Sequence, residues 1–215
     1  MNCVVTAGPT YESLDEVRRL TNFSTGRLGT ELAAFLSARG HGVTLLIGQL
    51  ATYRGERQAR KVETFTTTSD LRERLRNISS ESPDAVFHAA AVSDFGFGKI
   101  WRRTEGGDLS EVKSGKISTG AGTRLAELVP TPKIIAELRG WFPQARLTGW
   151  KYEVEGNRAD VIALGERQIA ECRTDACVVN GRGYGDGFGL VAARKCVHLP
   201  DMAALFDALE KSLQK

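Results

Sequence analysis

What most constrains this chain is the alternation of short, nearly continuous apolar runs with segments of helical period. Runs at 2–7, 43–47, 62–66, 84–91, 147–152 and 176–179 read as strands, and most are too uniformly apolar to face water on one side. Between them lie helical stretches. Residues 27–39 put Leu28, Leu32, Phe35 and Leu36 on one face and stop at Gly40, and a second helix starts from Ser69-Asp70 and carries Leu71, Leu75 and Ile78. A third opens at Thr131-Pro132 ahead of Ile134, Ile135 and Leu138, and a fourth runs from Asn157 to about residue 173. The last places Met202, Leu205, Phe206, Leu209 and Leu213 on one face. This order predicts an α/β fold with a Rossmann-like, doubly wound, mainly parallel sheet covered by helices on both faces. Asp186-Gly187 suits a tight turn into 190–193 and adds a C-terminal antiparallel hairpin.

One stretch breaks the pattern. Residues 95–122 have little periodicity, and seven of them are glycine. A connection that long in a compact domain is usually functional, so a glycine-rich flap is expected at about 95–122. The whole chain, 1–215, is expected to be a single domain.

Charge and composition remove several function classes. The net charge is +3, too slight to argue for nucleic acid. No apolar run is long enough to cross a bilayer, and Met1 leads straight into a strand rather than a basic-then-apolar leader, so a cytoplasmic protein without membrane contact is expected. Cys3, Cys172, Cys177 and Cys196 show neither C-x-x-C nor metal-ligand spacing and read as reduced, small apolar residues.

A doubly wound sheet binds ligands beyond the carboxyl ends of its strands, so the loops after Ala7, Gly48, Ala91 and Tyr152 are the places to search. A nicotinamide-binding protein would carry G-x-G-x-x-G directly after strand one. Here Gly8 and a long insertion precede S-T-G-R-L-G, leaving Gly26 and Gly29 at G-x-x-G spacing. Opening a helix, those glycines, with Ser24 and Thr25, would present free N–H and hydroxyl groups to an anion. The competing reading is a helix start with glycines for close packing, and the motif alone does not choose between them. Arg18 or Arg19 could clamp a phosphate, or simply belong to a solvated loop. Asn22 could be a helix cap or a polar catalytic group.

The run V-T-A-G-P-T-Y-E-S-L-D-E-V-R-R-L-T-N-F-S-T-G-R-L-G resembles the N-terminal signature of phosphopantothenoylcysteine synthetase, the ligase of coenzyme A biosynthesis. Further segments agree in order: H-A-A-A-V-S-D-F at 88–95, G-K-I-S at 115–118, P-T-P-K-I-I at 130–135, G-W-K-Y-E at 149–153 and V-N at 179–180. The resemblance covers nearly the whole chain. It implies that 4′-phosphopantothenate is joined to L-cysteine through an acyl-nucleotidylate made from a nucleoside triphosphate, with Mg²⁺ and pyrophosphate release. It also implies roles. Lys116, with Lys113 as the alternative, would be the flap lysine that neutralises the triphosphate, and Asn22 would orient the acyl-nucleotidylate. Arg18 would hold the substrate phosphate. Gly8, Ser24, Gly26, Gly29, Ala89, Ala90, Ala91, Asp94, Pro132, Lys133, Ile134, Ile135 and Trp150 would line the nucleotide site. A homodimer is implied, with the hairpin near 181–193 as a candidate contributor.

Two departures bear on these expectations. No flavin decarboxylase domain is present in the chain, so the resemblance is to a stand-alone synthetase and a separate decarboxylase is expected. The cytidine-specific type carries paired lysines before its V-N strand, whereas this chain has E-R-Q-I-A-E-C at 166–172. N-F-S-T-G-R and K-I-S look closer to single-domain types that favour ATP, which leaves ATP or CTP open. Two rivals are an NAD(P)-dependent reductase and a non-catalytic nucleotide-binding homologue. The missing G-x-G-x-x-G and Tyr-x-x-x-Lys count against the first, and retention of Asn22 with a flap lysine counts against the second.

Overall fold

The computed structural model describes residues 1–118 and 122–214. In chain order the elements are β1 (Asn2–Ala7), β2 (Tyr11–Ser13), β3 (Arg19–Thr21), α1 (Arg27–Ala38), β4 (Gly42–Gly48), β5 (Lys61–Phe65) and α2 (Thr68–Ile78). They continue with β6 (Ala85–His88), β7 (Phe95–Arg103), β8 (Leu109–Glu111), β9 (Arg124–Pro130), α3 (Ile134–Trp141), β10 (Arg146–Tyr152) and α4 (Arg158–Cys172). β11 (Ala176–Asn180), β12 (Phe188–Ala192), β13 (Lys195–Leu199) and α5 (Met202–Ser212) complete the chain.

The central sheet has the order β13-β12-β11-β10-β6-β1-β4-β5, parallel from β5 to β11 and antiparallel at β12 and β13. Read over its parallel strands alone, this is the doubly wound arrangement in which the chain leaves β1 to one side, returns, and builds outward on the other. The reversal falls between β1 and β6, the position where such sheets open a crevice for ligand. Alternation of side chains splits the core. One apolar cluster joins Val5, Ala7, Leu45 and Phe87 to α1 and α5, and another joins Val4, Leu46, Val86 and Leu147 to α2 and α3. Helix α4 closes over Cys177, Val179 and Val191.

Local chemistry sets the helix ends. Asn157 accepts from Ala159 and Asp160 N–H while Asp160 returns a bond to Asn157 N–H, a reciprocal capping box at the position expected for α4. Helix α2 starts slightly earlier than expected, because Thr67 rather than Ser69 caps it. Helix α3 starts at Ile134, later than Thr131-Pro132, since Lys133 still has an extended ψ of 84°. Strand β6 ends at His88, three residues short of the expected strand.

The larger difference concerns 95–122. Much of it is regular: β7 pairs antiparallel with both β8 and β9, forming a separate three-stranded arm that continues to Pro130. Its strands are largely exposed, so no apolar alternation marks them in the sequence. Outside the strands the described residues 104–108, 112–118 and 122–123 are irregular, and Thr119, Gly120 and Ala121 of the expected flap motif lie outside the described residues. A second difference is β13. The chain makes two consecutive hairpins, and the second turns on Ala193 and Arg194, both at positive φ (46° and 59°) without the glycine or asparagine that normally announces such a turn.

Candidate active site

Three glycines shape the end of β1. Gly8 (φ +78°) and Gly26 (φ +80°) face one another, and a Cβ on Gly26 would stand 3.3 Å from the Gly8 Cα and 3.0 Å from both Ala51 Cβ and Ile47 Cδ1. Gly26 is also the N-cap of α1. Gly29 has a different task. Its Cβ would stand 2.6 Å from Ala7 Cβ and 3.0 Å from the Thr6 carbonyl, so α1 rests on β1 at backbone contact. Of the G-x-x-G pair, the first glycine makes the turn into α1 and the second the close packing. No side chain caps the helix and its first turn has no acidic residue. Thr25 Oγ1 accepts from the Arg27 N–H at 3.3 Å, and Ser24 is half-buried beside it. An uncapped helix N-terminus at the mouth of the crevice favours a negative group.

Across the crevice, 89–91 continue alongside β1 after β6 ends. Ala89 N–H donates to the Thr6 carbonyl (3.2 Å), Ala90 N–H to Thr6 Oγ1 (3.1 Å) and Ala91 N–H to the Gly8 carbonyl (3.0 Å). These three donors are spent inside the protein, so Ala89, Ala90 and Ala91 can shape a ligand site but cannot offer these N–H groups to it. Asn22 reaches the same place from the other side. Its Nδ2 donates to the Ala91 carbonyl at 2.9 Å, although the two residues are 69 apart in sequence. The amide of Asn22 thus bridges the switch point, exposed to solvent.

His88 underlies this arrangement and was not singled out from the sequence. It is 5% exposed, and burial pulls its imidazole down to about 4. Its Nδ1 lies 3.0 Å from Thr6 Oγ1, the atom that accepts from Ala90 N–H. A buried hydroxyl proton needs an acceptor, so Thr6 donates to Nδ1 and the neutral ring carries its proton on Nε2. The consequence is a pH dependence. Between pH 6.5 and 4 the unfolded chain takes up a proton at His88 that the folded chain refuses, so stability falls as pH drops through that window and levels off below it. From pH 7 to pH 5 this group costs about 2 kcal/mol. Urea unfolding at both pH values checks it: His88→Asn, which keeps an acceptor for Thr6, should lose that share of the pH dependence, and an unchanged slope would contradict the assignment.

The two candidate lysines, Lys116 and Lys113, sit elsewhere. Residues 115–117 dock on the turn of the β2–β3 hairpin: Glu16 N–H donates to the Gly115 carbonyl (2.9 Å) and Ile117 N–H to Asp15 Oδ2 (3.1 Å). Arg18 completes the clamp, with Nε 3.0 Å from Asp15 Oδ2 and Nη2 bonded both to that oxygen and to the Ile117 carbonyl at 2.6 Å. The Asp15 side chain is 1% exposed, and the guanidinium holds its carboxyl well below the usual carboxylate range. Two of the three Arg18 guanidinium nitrogens, Nε and Nη2, are therefore occupied, and among the described residues only Nη1 lacks a partner. Arg18 does not present the open two-pronged fork that phosphate clamping calls for. Lys116 projects into solvent beside it, as does Lys113. Asn22 follows the base of this hairpin and Lys116 adjoins its tip, so the two are separated by a strand length of roughly 10 Å.

The remaining expected residues fall around the same edge of the sheet. Asp94 is exposed, and its carbonyl accepts from Thr131 N–H at 3.0 Å, with Thr131 Oγ1 donating to the Ser93 carbonyl at 2.5 Å. Ser93 N–H in turn donates to Thr10 Oγ1 (2.8 Å), which ties the root of the arm to the β1 loop. Pro132 and Lys133 are exposed, Lys133 lying 4.0 Å from Glu171, while Ile134 is buried beneath them. Ile135 Cδ1 packs where a Cβ on Gly149 would be, 2.5 Å away. Trp150 lies on the α1 face of the sheet, packed against the cluster under α1 and α5, and its buried indole N–H has no partner among the described residues. The fold thus gathers Gly8, Asn22, Ser24, Gly26, 89–91, Asp94, 132–135 and Trp150 at the carboxyl edge of the sheet, and Arg18 with Lys116 at the hairpin tip beyond it.

An open parallel sheet with a glycine-turned helix N-terminus at its switch point defines a Rossmann-like, doubly wound α/β protein. The family model for the DNA/pantothenate metabolism flavoprotein C-terminal domain matches residues 1–211, and the chain belongs to that family. A coenzyme A biosynthesis bifunctional protein CoaBC from Thermococcus kodakarensis is 33% identical over 181 residues, 82% of this chain and 40% of that protein, so the chain spans well under half the length of that curated relative. The DNA/pantothenate metabolism flavoprotein from Streptococcus pneumoniae superposes with a TM-score of 0.88 at 24% identity, covering 100% of this chain and 98% of the other. A Cab2 H337A mutant, solved with phosphopantothenate-cysteine, superposes at 0.67 with 18% identity over 100% of this chain and 89% of its own. Among the described residues no helix is long and apolar enough to cross a membrane.

Proposed function

We propose that this chain is a phosphopantothenate–cysteine ligase of coenzyme A biosynthesis. The phosphopantothenate carboxylate attacks the α-phosphorus of a nucleoside triphosphate, expelling pyrophosphate, and the cysteine amine then attacks the acyl carbonyl, expelling the nucleoside monophosphate. The observation that carries this reading is the Asn22 amide bonded to the Ala91 carbonyl across the switch point where α1 opens with an uncapped N-terminus, in a chain whose residues 1–211 the family model matches. The α1 N–H groups and Ser24 hold phosphate oxygens. With Nδ2 tied to Ala91, Asn22 Oδ1 faces the crevice and accepts from the incoming amine, while its second N–H orients the acyl-nucleotidylate. The exposed Lys116 brings its charge to the triphosphate by movement of the 112–118 loop about its docking point. Arg18 and Asp15 set that docking point, and Arg18 Nη1 remains for a substrate phosphate.

Mg²⁺ would arrive bound to the triphosphate and supply charge neutralisation there. Among the described residues no three carboxylate, histidine or cysteine side chains gather to cage a metal, which suits Mg²⁺ held mainly by phosphates. For the homodimer implied by the family, the arm is the surface we favour over the 181–193 hairpin, because Phe95, Leu128 and Val129 are exposed on the arm, whereas Phe188, Leu190 and Val191 of the hairpin pack into the cores. The activity is tested by following pyrophosphate release with Mg²⁺, phosphopantothenate and cysteine, with ATP and CTP in parallel. Release with one nucleotide supports the reading and identifies the co-substrate, and absence of release with both sinks it.

A further inference from the structure

At the opposite, amino-terminal edge of the sheet, about 20 Å along β10 from its carboxyl end, the turns before β10 and β11 border an open surface recess of about 530 Å³. It is lined by Arg139, Gln144, Arg146, Arg173, Thr174 and Asp175. Asp175 is paired with Arg139: its Oδ2 accepts from Arg139 Nη2 and from Leu147 N–H, both at 2.7 Å. Arg139 spends its other donors on the carbonyls of Arg173, Phe142, Pro143 and Ala145. These two charges offset each other. What remains does not cancel. The Arg146 Nε is buried without a partner, and no hydrogen bond or ion pair engages its guanidinium among the described residues. Thr174, a residue of the recess wall, is 5% exposed, and its buried hydroxyl is also unpartnered among the described residues. Arg173 lines the same wall, held in the left-handed conformation (φ +54°) that ends α4, where a glycine would be relaxed. Water can satisfy a threonine hydroxyl, but two unopposed guanidinium groups call for negative charge.

We propose that this recess is an anion site for a phosphate-bearing small molecule, separate from the carboxyl edge of the sheet. Arg146 and Arg173 supply charge-assisted donors to the phosphate oxygens, and Thr174 Oγ1 adds a third. The volume accommodates the rest of a small metabolite. The test is a titration of the full chain with inorganic phosphate, read by amide NMR at constant ionic strength, with chloride and succinate as parallel arms. Saturable shifts at 144–147 and 173–175 are expected with phosphate alone, weakened roughly tenfold in Arg146→Gln and in the exposed variant Arg173→Gln. Shifts at 26–29 should be the same in all three proteins, which separates this site from the phosphate-binding helix end. No saturable shift at 144–147 and 173–175, an equal response to chloride or succinate, or unchanged affinity in both variants overturns the proposal.

Discussion

Asn22→Asp is expected to slow formation of the cysteine adduct by about 10²- to 10³-fold while leaving pyrophosphate release in the first turnover nearly intact. The amide donates to the Ala91 carbonyl at 2.9 Å, and a carboxylate has no proton to do so. Two oxygens would then oppose each other at the switch point and the side chain would swing away. Loss of that group removes an interaction the aminolysis step needs and the activation step does not, so activated intermediate should accumulate on the enzyme. Quenched-flow separation of acyl-nucleotidylate from product reads both steps. Lys116→Gln supplies the opposite pattern, slow activation without accumulation. Wild-type partition in both variants would contradict the division of labour.

Gly29→Ala is expected to destabilise the protein by about 2 kcal/mol, measured as a shift in the urea midpoint at constant slope. The sign is informative because two effects compete. In an exposed helix interior, alanine gains about 1 kcal/mol over glycine. Here the new Cβ would stand 2.6 Å from Ala7 Cβ and 3.0 Å from a backbone carbonyl, neither of which can turn aside like the tip of a long side chain. Helix α1 must lift from β1, which also moves its free N–H groups away from the crevice, so nucleotide affinity should fall together with stability. A net gain in stability would mean that α1 does not pack this tightly.

The parallel sheet was legible because its central strands are buried on both faces and read as plain apolar runs, as at Val4, Val5, Leu45, Leu46, Val86 and Phe87. The arm was not, since strands bathed on both sides need no alternation, and glycines at 96 and 98 read as loop. The second hairpin escaped because Ala193 and Arg194 accept positive φ without a glycine to announce it. At the site, the glycines were legible because their spacing is local. Contacts that span the chain were not. Arg18 looks like a free cation in sequence, yet it is joined to Ile117, 99 residues away, and Thr6 to His88, 82 residues away. Such partners share no pattern in sequence and become visible only when the sheet brings β1 beside β6 and the flap onto the β2–β3 turn.

The most direct test of the ligase reading uses isotopically labelled cysteine with phosphopantothenate, Mg²⁺ and either ATP or CTP, followed by mass spectrometry of the products. The account predicts a labelled phosphopantothenoylcysteine that forms only when nucleotide is present, one nucleoside monophosphate per adduct, with the yield collapsing in Asn22→Asp. Nucleotide consumed without adduct, or no turnover of either nucleotide by folded protein, would contradict it.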